Sequence, residues 1–192
     1  MKKGLGSLLL SGGICLGLTG AGWAVMPEVT AAPRTLPAEV PFGDVSFGDR
    51  WYDGAQYGYR RGLIRGMTET RFGGELPATR AMATAMVWRL AGEPAPLGES
   101  TFIDVSPGWY YTDAVAWGEE AGLLLGFGDG TFRPEEKLTR EQLERILERY
   151  WGGEAAVFQR AATPIPGEPG RGVTRGELAQ ALMEGCEERA EG

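Results

Sequence analysis

Three stretches of the chain place apolar residues on one face of a helix, and each stretch follows a threonine. These are Thr79, Thr139 and Thr174, and threonine is a favourable N-cap because its hydroxyl accepts a hydrogen bond from a free backbone amide. Gln142 and Glu177 stand three residues after the second and third threonines, as in a capping box. The apolar positions that follow at helical spacing are Met82, Met86, Val87 and Leu90, then Leu143, Ile146, Leu147 and Tyr150, then Leu178, Ala181 and Leu182. The pattern predicts three helices that pack against each other through these faces.

Two further helices are predicted over residues 52–62 and 111–121. Small and apolar residues recur there at helical spacing, namely Ala55, Gly58 and Tyr59 in the first and Ala114, Val115 and Gly118 in the second. Gly62 and Gly122 are expected to end these helices, because glycine readily adopts the left-handed cap conformation. The chain is therefore predicted to be all-α.

Residues 42–92 and 102–152 repeat each other at an offset of sixty residues without a gap, and sixteen of the fifty-one positions are identical. The shared positions in the first copy include Phe42, Asp44, Val45, Gly62, Leu63, Gly66, Phe72, Thr79 and Arg80. A repeat of fixed period indicates that one supersecondary unit, here helix, loop and helix, is being stacked. Phe72 and Phe132 are expected to anchor the loops.

The ordered pattern F-x-D-V, aromatic, G-hydrophobic-x-x-G, F and T-R resembles the S-layer homology (SLH) module of bacterial surface proteins. Repeat 2 carries it most fully, in Phe102, Asp104, Val105, Trp109, Gly122, Leu123, Gly126, Phe132, Thr139 and Arg140. Thr174-Arg175 resembles the end of a third, shortened copy. The resemblance implies that three SLH units pack as a pseudo-three-fold helical prism. The predicted organisation is a signal peptide at 1–31, an extended lead-in at 32–41, repeat 1 at 42–92, a linker at 93–101, repeat 2 at 102–152 and a degenerate repeat 3 at 153–192.

Each capping threonine is followed by an arginine, at Arg80, Arg140 and Arg175. A cation in the first turn opposes the helix dipole at a cost of about 0.3–1 kcal/mol, so local stability does not explain these residues. The residues alone leave two interpretations open. An arginine at a helix N-terminus makes a strong anion site, or each arginine pairs with an acidic residue of a neighbouring repeat. The resemblance favours the first, because in SLH modules the basic residue of this motif contacts the anionic, pyruvylated sugar of a secondary cell-wall polymer.

Four more residues are candidate polymer contacts. The ring of Trp109 can stack on a sugar, and Gly66 and Gly126 would let a ligand approach the backbone closely. Asp129 lies in the Gly-Asp-Gly turn of the repeat 2 loop. The alternatives are core packing for most of the aromatic residues and a turn requirement for the glycines. Because the third repeat is shortened, the groove between repeats 1 and 2 is the expected binding site.

The amino-acid composition excludes several kinds of catalytic and metal-binding site. The 192 residues contain no histidine and two cysteines, Cys15 in the predicted signal peptide and Cys186. Histidine-based catalysis, the usual zinc sites and an internal disulfide in the mature chain are therefore excluded. Hydrolysis by paired carboxylates remains formally possible, but the repeats occupy the length that a catalytic domain would need. No enzymatic activity, cofactor or metal is expected. The net charge of −7 disfavours general binding to nucleic acid or anionic membranes.

The amino terminus has the form of a secretory signal peptide. Lys2-Lys3 precede an uncharged stretch from Leu5 to Leu18, and small residues at Val29-Thr30-Ala31 predict cleavage before Ala32. A second candidate site ends at Ala24. The alternatives are an uncleaved membrane anchor, which the many glycines disfavour, and a lipoprotein modified at Cys15, which Ile14 disfavours. Cleavage takes the net charge from −7 to −8, because two lysines and one glutamate are lost.

The main hypothesis is an exported, non-catalytic module that attaches to a secondary cell-wall polysaccharide bound to peptidoglycan, at the cell wall or S-layer. No nucleic-acid partner and no stable membrane insertion after cleavage are expected. The alternative is a structural or interaction protein of the envelope that kept the SLH fold and lost polymer binding.

Overall fold

The computed structural model describes residues 40–152 and 171–191, and within these ranges the regular secondary structure consists of five α-helices. They are α1 (Tyr52–Arg60), α2 (Arg80–Leu90), α3 (Thr112–Glu120), α4 (Arg140–Tyr150) and α5 (Arg175–Glu191). The predicted all-α class is confirmed. The ends of α1 and α3 lie within two residues of the predicted ones.

The three threonines cap their helices as predicted. The hydroxyl of Thr79 accepts a hydrogen bond from the backbone amide of Met82 at 3.3 Å. Thr139 forms a full capping box with Gln142, whose side chain accepts in return from the Thr139 amide at 3.0 Å. Thr174 and Glu177 form the same pair of hydrogen bonds, at 3.2 and 2.9 Å. Local sequence therefore determines where α2, α4 and α5 begin.

The two glycines predicted to end the first helix of each repeat adopt left-handed conformations. The φ angles are +71° at Gly62 and +68° at Gly122. This conformation turns the chain so that the amide of the next residue, Leu63 or Leu123, donates back to a carbonyl inside the helix, at 2.8 and 2.9 Å. The loop leaves the helix at the same angle in both repeats for this reason.

A ring of three backbone hydrogen bonds joins the residues that precede the capping threonines. The amide of Ala78 donates to the carbonyl of Val173, the amide of Val173 to the carbonyl of Leu138, and the amide of Leu138 to the carbonyl of Ala78. The donor–acceptor distances are 2.8, 2.8 and 2.9 Å. All three residues are buried. The starts of α2, α4 and α5 therefore meet at one point with cyclic connectivity.

The helices of neighbouring repeats pack in the same cyclic order. Helix α3 of repeat 2 lies along α2 of repeat 1, and α1 of repeat 1 lies along α5. The approach of α1 to α5 is close, because a β-carbon at Gly54 would lie 2.5 Å from backbone atoms of Gln180. The Gly54 amide also donates to the Gln180 side chain at 3.0 Å. These contacts agree with a three-fold arrangement, while a complete prism with a truncated third repeat stays a prediction.

Several predicted segments lie outside the described residues. They are the signal peptide at 1–31, most of the lead-in at 32–41, and residues 153–170 of the predicted third repeat. Among the helices that are described, none combines the length and the apolar character needed to cross a membrane.

Candidate functional site

The loop of each repeat is tied to the F-x-D-V segment by its aspartate. The Asp44 carboxylate accepts hydrogen bonds from the backbone amides of Phe72 and Gly73 at 2.7 and 2.8 Å. Asp104 accepts from the corresponding amides of repeat 2, both at 2.7 Å. Burial acts to raise the pKa of Asp44, but the two amide hydrogen bonds outweigh it and hold the pKa below its ordinary value. The aspartate of the motif thus fixes the loop, and the Phe72 side chain is fully buried as predicted.

Arg80 and Arg175 make the same contact at two different repeat interfaces. Arg80 donates from Nε to the carbonyl of Phe132 at 2.8 Å and from its terminal nitrogen to the carbonyl of Leu125 at 3.0 Å. Arg175 donates to the carbonyls of Phe72 and Arg65 at 3.1 and 2.9 Å. The acceptors in the two loops are sixty residues apart and therefore equivalent. Each arginine reaches from the start of its helix into the loop of another repeat and fastens the two together.

Arg140 is placed differently. Its Nε donates to the carboxylate of Glu144, one turn along the same helix, at 2.6 Å, and both side chains are one-third exposed. The sequence left open a second interpretation, in which the arginines after the caps pair with acidic residues of a neighbouring repeat. An ion pair of this kind occurs at a different arginine. The carboxylate of Glu177 in α5 lies 2.7 Å from the guanidinium of Arg50 in repeat 1. Arg140 thus has an acidic partner on its own helix, and the hydrogen bonds of the other two arginines after the caps reach carbonyls across repeat interfaces.

A pocket of about 260 Å³ lies beside Arg175. Repeat 1 provides most of its wall, Tyr110 of repeat 2 and Leu178 of α5 complete it, and the guanidinium groups of Arg65 and Arg89 join that of Arg175. The remaining wall is apolar or glycine: Ile64, Gly66, Met67, Phe72, Met82, Ala85 and Met86. No carboxylate is among these lining residues, although the chain carries a net charge of −7. The pocket is therefore a local cationic site on an acidic protein.

The titratable groups of this pocket favour an anionic guest. Burial lowers the pKa of Arg89 and the nearby charge of Arg65 lowers it further, while the carboxylate of Glu93, 3.9 Å from Nε of Arg89, acts in the opposite direction. Burial also lowers the pKa of Arg175. A bound anion would relieve the repulsion and offset the burial, because it stabilises the charged forms. Burial raises the pKa of Tyr110, and a hydrogen bond with the Thr79 side chain opposes that rise.

Of the predicted site residues, the structure brings Arg175 and Gly66 together at this pocket. Gly66 is also required by packing, because a β-carbon there would lie 2.5 Å from the ring of Phe42. Gly126 has the same requirement, with the ring of Phe102 at 2.2 Å. The two glycines therefore serve the packing of their own repeats, whether or not a ligand approaches them.

Trp109 and Asp129 lie on the surface of repeat 2, and neither lines the pocket. The Trp109 side chain is 60% exposed, and its ring stacks on that of Tyr111 with a centroid distance of 6.1 Å. Asp129 accepts from the amide and hydroxyl of Thr131 at 3.1 and 2.6 Å, which shapes the turn. These hydrogen bonds and that of Arg133 lower the pKa of Asp129 to about 2. As expected for most of the aromatic residues, Trp51, Tyr111 and Trp117 are buried in the core.

The sequence interpretation missed Arg65, Arg89 and Tyr110 as pocket residues, and it expected the binding groove between repeats 1 and 2. The pocket has residues of repeat 1, Tyr110 of repeat 2 and two residues of α5 in its wall, and binding in the expected groove stays a prediction. A signal for Arg65 was present, because it interrupts an apolar Gly-Leu-Ile-x-Gly segment where repeat 2 has Leu125. Arg89 gave no such signal, because an arginine also stands at the equivalent position 149. Tyr110 gave no such signal either.

Comparison with known proteins agrees with the fold and the motif. Residues 41–83 and 101–144 match the S-layer homology domain family. The S-layer protein sap of Bacillus anthracis is 30% identical over 124 residues, which cover 64% of this chain and 14% of that protein. Exoglucanase XynX of Acetivibrio thermocellus is 31% identical over 115 residues, covering 59% of this chain and 10% of the enzyme. An amylopullulanase of Thermoanaerobacterium thermosulfurigenes is 34% identical over 89 residues, which cover 46% of this chain and 5% of that enzyme. The chain thus spans a seventh or less of these relatives.

This chain is an SLH-domain protein of the bacterial cell surface, as the resemblance implied. SLH domains are non-catalytic modules that anchor proteins to the cell wall, and they occur here on S-layer proteins and on surface enzymes alike. The predicted location at the cell wall or S-layer follows from the same match.

Proposed function

We propose that the protein is a non-catalytic wall anchor that binds an anionic, pyruvylated secondary cell-wall polysaccharide. The observation that carries this proposal is the pocket beside Arg175, whose lining includes three arginines and a tyrosine and no carboxylate. A carboxylate on a sugar can accept charge-assisted hydrogen bonds from arginine, and the apolar wall suits the non-polar face of the ring.

In this proposal Arg175 has two tasks. Its hydrogen bonds to the carbonyls of Phe72 and Arg65 fix the guanidinium before any ligand arrives, so little side-chain entropy is lost on binding. Arg140, Trp109, Gly126 and Asp129 stay predicted polymer contacts outside the pocket, whereas for Arg80 a structural role at the repeat interface takes the place of that prediction.

The test is recovery of the purified protein with wall sacculi before and after the secondary polymer is stripped. We expect recovery to depend on the polymer and to be competed by polymer fragments that retain their pyruvate groups. Equal recovery from intact and stripped sacculi would support the alternative, an envelope protein with the SLH fold and no polymer binding.

A further inference from the structure

Two repeat interfaces of this chain share one backbone design. In both, an arginine at a helix start donates to two loop carbonyls of another repeat, at 2.8 and 3.0 Å for Arg80 and at 3.1 and 2.9 Å for Arg175. Differences in what the two interfaces can bind must therefore come from the side chains around these arginines. Among the loop positions that differ are Arg65, Met67 and Gly73 of repeat 1, where repeat 2 has Leu125, Phe127 and Arg133.

The Arg80 interface is closed. The guanidinium of Arg80 lies 5.1 Å from the ring centre of Phe127 and 4.5 Å from that of Phe132, and the residue is only 5% exposed. The guanidinium of Arg133 lies 3.8 Å from the same Phe127 ring. The Phe127 ring thus has two cations near it, which is favourable for an aromatic face. Because Arg80 is almost fully buried, an anion could reach its guanidinium only if neighbouring side chains moved.

The backbone of repeat 2 is strained to place Arg133 there. Arg133 has a φ of +57°, which is unfavourable for a residue with a side chain, while its counterpart Gly73 has a φ of +73°. Ion pairs with Asp129 at 3.0 Å and Glu136 at 3.6 Å hold the Arg133 side chain. Glycine would be less strained at this position. Arg133 makes the contact with the Phe127 ring that glycine cannot make.

The Arg175 interface is open. Met67 replaces the closing phenylalanine and is 49% exposed, and Gly73 contributes no side chain. Arg175 is only partly buried and lines the pocket described above. A second pocket of about 410 Å³ adjoins the first and shares Ile64, Arg65 and Gly66 with it. Arg65 is exposed and forms no ion pair within residues 40–152 and 171–191, so its guanidinium is available at the junction of the two pockets.

We infer that the two interfaces have diverged, and that Arg65 determines the charge specificity of the one that binds. The Arg175 interface takes an acidic saccharide, with its carboxylate between Arg65 and Arg175 and a neighbouring sugar of the chain in the adjoining pocket. The Arg80 interface holds repeats 1 and 2 together, and the Phe127 ring closes it to ligands. This inference rests on the proposed function. It adds that the Arg175 interface is the one that binds the polymer and that Arg65 is the residue that selects a charged ligand.

The experiment exchanges residues between the two loops. Arg65→Leu gives repeat 1 the residue of repeat 2, and Leu125→Arg is the matched control on the closed interface. Both positions are exposed, and in each the structural contact is made by the backbone carbonyl, which the substitution leaves in place. The probes are polymer fragments released from sacculi, with their pyruvate groups intact or removed by mild acid, and binding is measured by calorimetry.

We expect Arg65→Leu to weaken binding of the pyruvylated fragment at least tenfold and to leave binding of the depyruvylated fragment unchanged, so that the preference for the charged fragment falls by the same factor. Met67→Phe should weaken binding of both fragments, whereas Leu125→Arg should change neither. Thermal melting of each variant checks that the fold is intact. Wild-type affinity for the pyruvylated fragment in Arg65→Leu, or a new preference created by Leu125→Arg, would overturn the inference. If the wild-type protein binds neither fragment, the proposed function itself is wrong.

Discussion

The Nε atom of Arg80 donates a 2.8 Å hydrogen bond to the backbone carbonyl of Phe132, fifty-two positions further along the chain. Phe132 belongs to the loop that Asp104 holds through its amide, so the arginine of one repeat and the aspartate of the other fix opposite sides of the same peptide segment. The T-R and F-x-D-V elements of the motif are thereby joined across the repeat interface. This explains why both recur at fixed spacing.

Replacing Arg80 with alanine should destabilise the fold. The substitution leaves the carbonyls of Phe132 and Leu125 without their charged donor in a largely buried place, at a cost of roughly 3 kcal/mol. Arg145→Ala is the control, because Arg145 is an exposed arginine of α4 whose loss should cost no more than roughly 0.5 kcal/mol. Urea unfolding of both variants measures the difference. Equal losses would show that the interface contact of Arg80 contributes little.

Arg140→Ala should weaken polymer binding more than it weakens folding. The expectation comes from the anion-binding character of an arginine at a helix start, where loss of a charge-assisted contact should reduce affinity roughly ten- to hundredfold. Sacculus binding and thermal melting are measured on the same variant. Unchanged binding together with unchanged melting would make Arg140 a surface residue whose partner is Glu144, and would remove it from the site.

The stability of the protein should fall in acid through Asp44. Its pKa is lowered in the folded state by the amides of Phe72 and Gly73, so the stabilisation is complete well above the ordinary value of 3.8 and is lost as the pH falls through the folded pKa. Because Asp44 is exposed, we expect a contribution of about 1 kcal/mol. The measurement is the free energy of unfolding between pH 6 and about pH 3. Asp44→Asn should be less stable at pH 6 and should lose less stability on acidification; a parallel decline in both proteins would contradict this.

The sequence predicted those features that depend on neighbouring residues. The caps at Thr139 and Thr174, and the left-handed ends at Gly62 and Gly122, are decided within one turn of helix, and all four were predicted correctly. The partners of Arg80 and the burial of Trp51 depend on other repeats. A β-carbon at Gly176, for example, would lie 2.3 Å from the Trp51 ring, a contact that no local pattern reveals.

The pocket was missed for the same reason. Its wall combines α2, the loop of repeat 1, one residue of repeat 2 and the start of α5, so its position depends on how the repeats meet. The shortened third repeat suggested that interfaces involving it would be poor sites. The structure shows instead that α5 supplies the arginine beside the pocket, through the motif that survives at Thr174-Arg175.

Substitutions at Arg89 and Arg149 can separate an effect on polymer binding from an effect on folding. The two residues are equivalent in the repeats, and each donates to a leucine carbonyl of its own repeat, Arg89 to Leu63 at 3.0 Å and Arg149 to Leu123 at 3.2 Å. Only Arg89 lines the pocket beside Arg175. Arg149→Gln should lower stability by about 1 kcal/mol, and Arg89→Gln by somewhat more, because Arg89 is more buried and also lies 3.9 Å from the Glu93 carboxylate. Only Arg89→Gln loses a charge from the pocket.

We expect Arg89→Gln to reduce polymer affinity roughly tenfold and Arg149→Gln to leave it unchanged, because a charged hydrogen bond to a carboxylate contributes about 1.5 kcal/mol or more. Binding is measured with polymer released from sacculi, at low and at high salt, since an electrostatic contact weakens as screening increases. The wild-type protein should lose more affinity in salt than Arg89→Gln does. A loss of the same size in both variants would mean that the arginines act through the fold, and the pocket would no longer be the place where the anion binds.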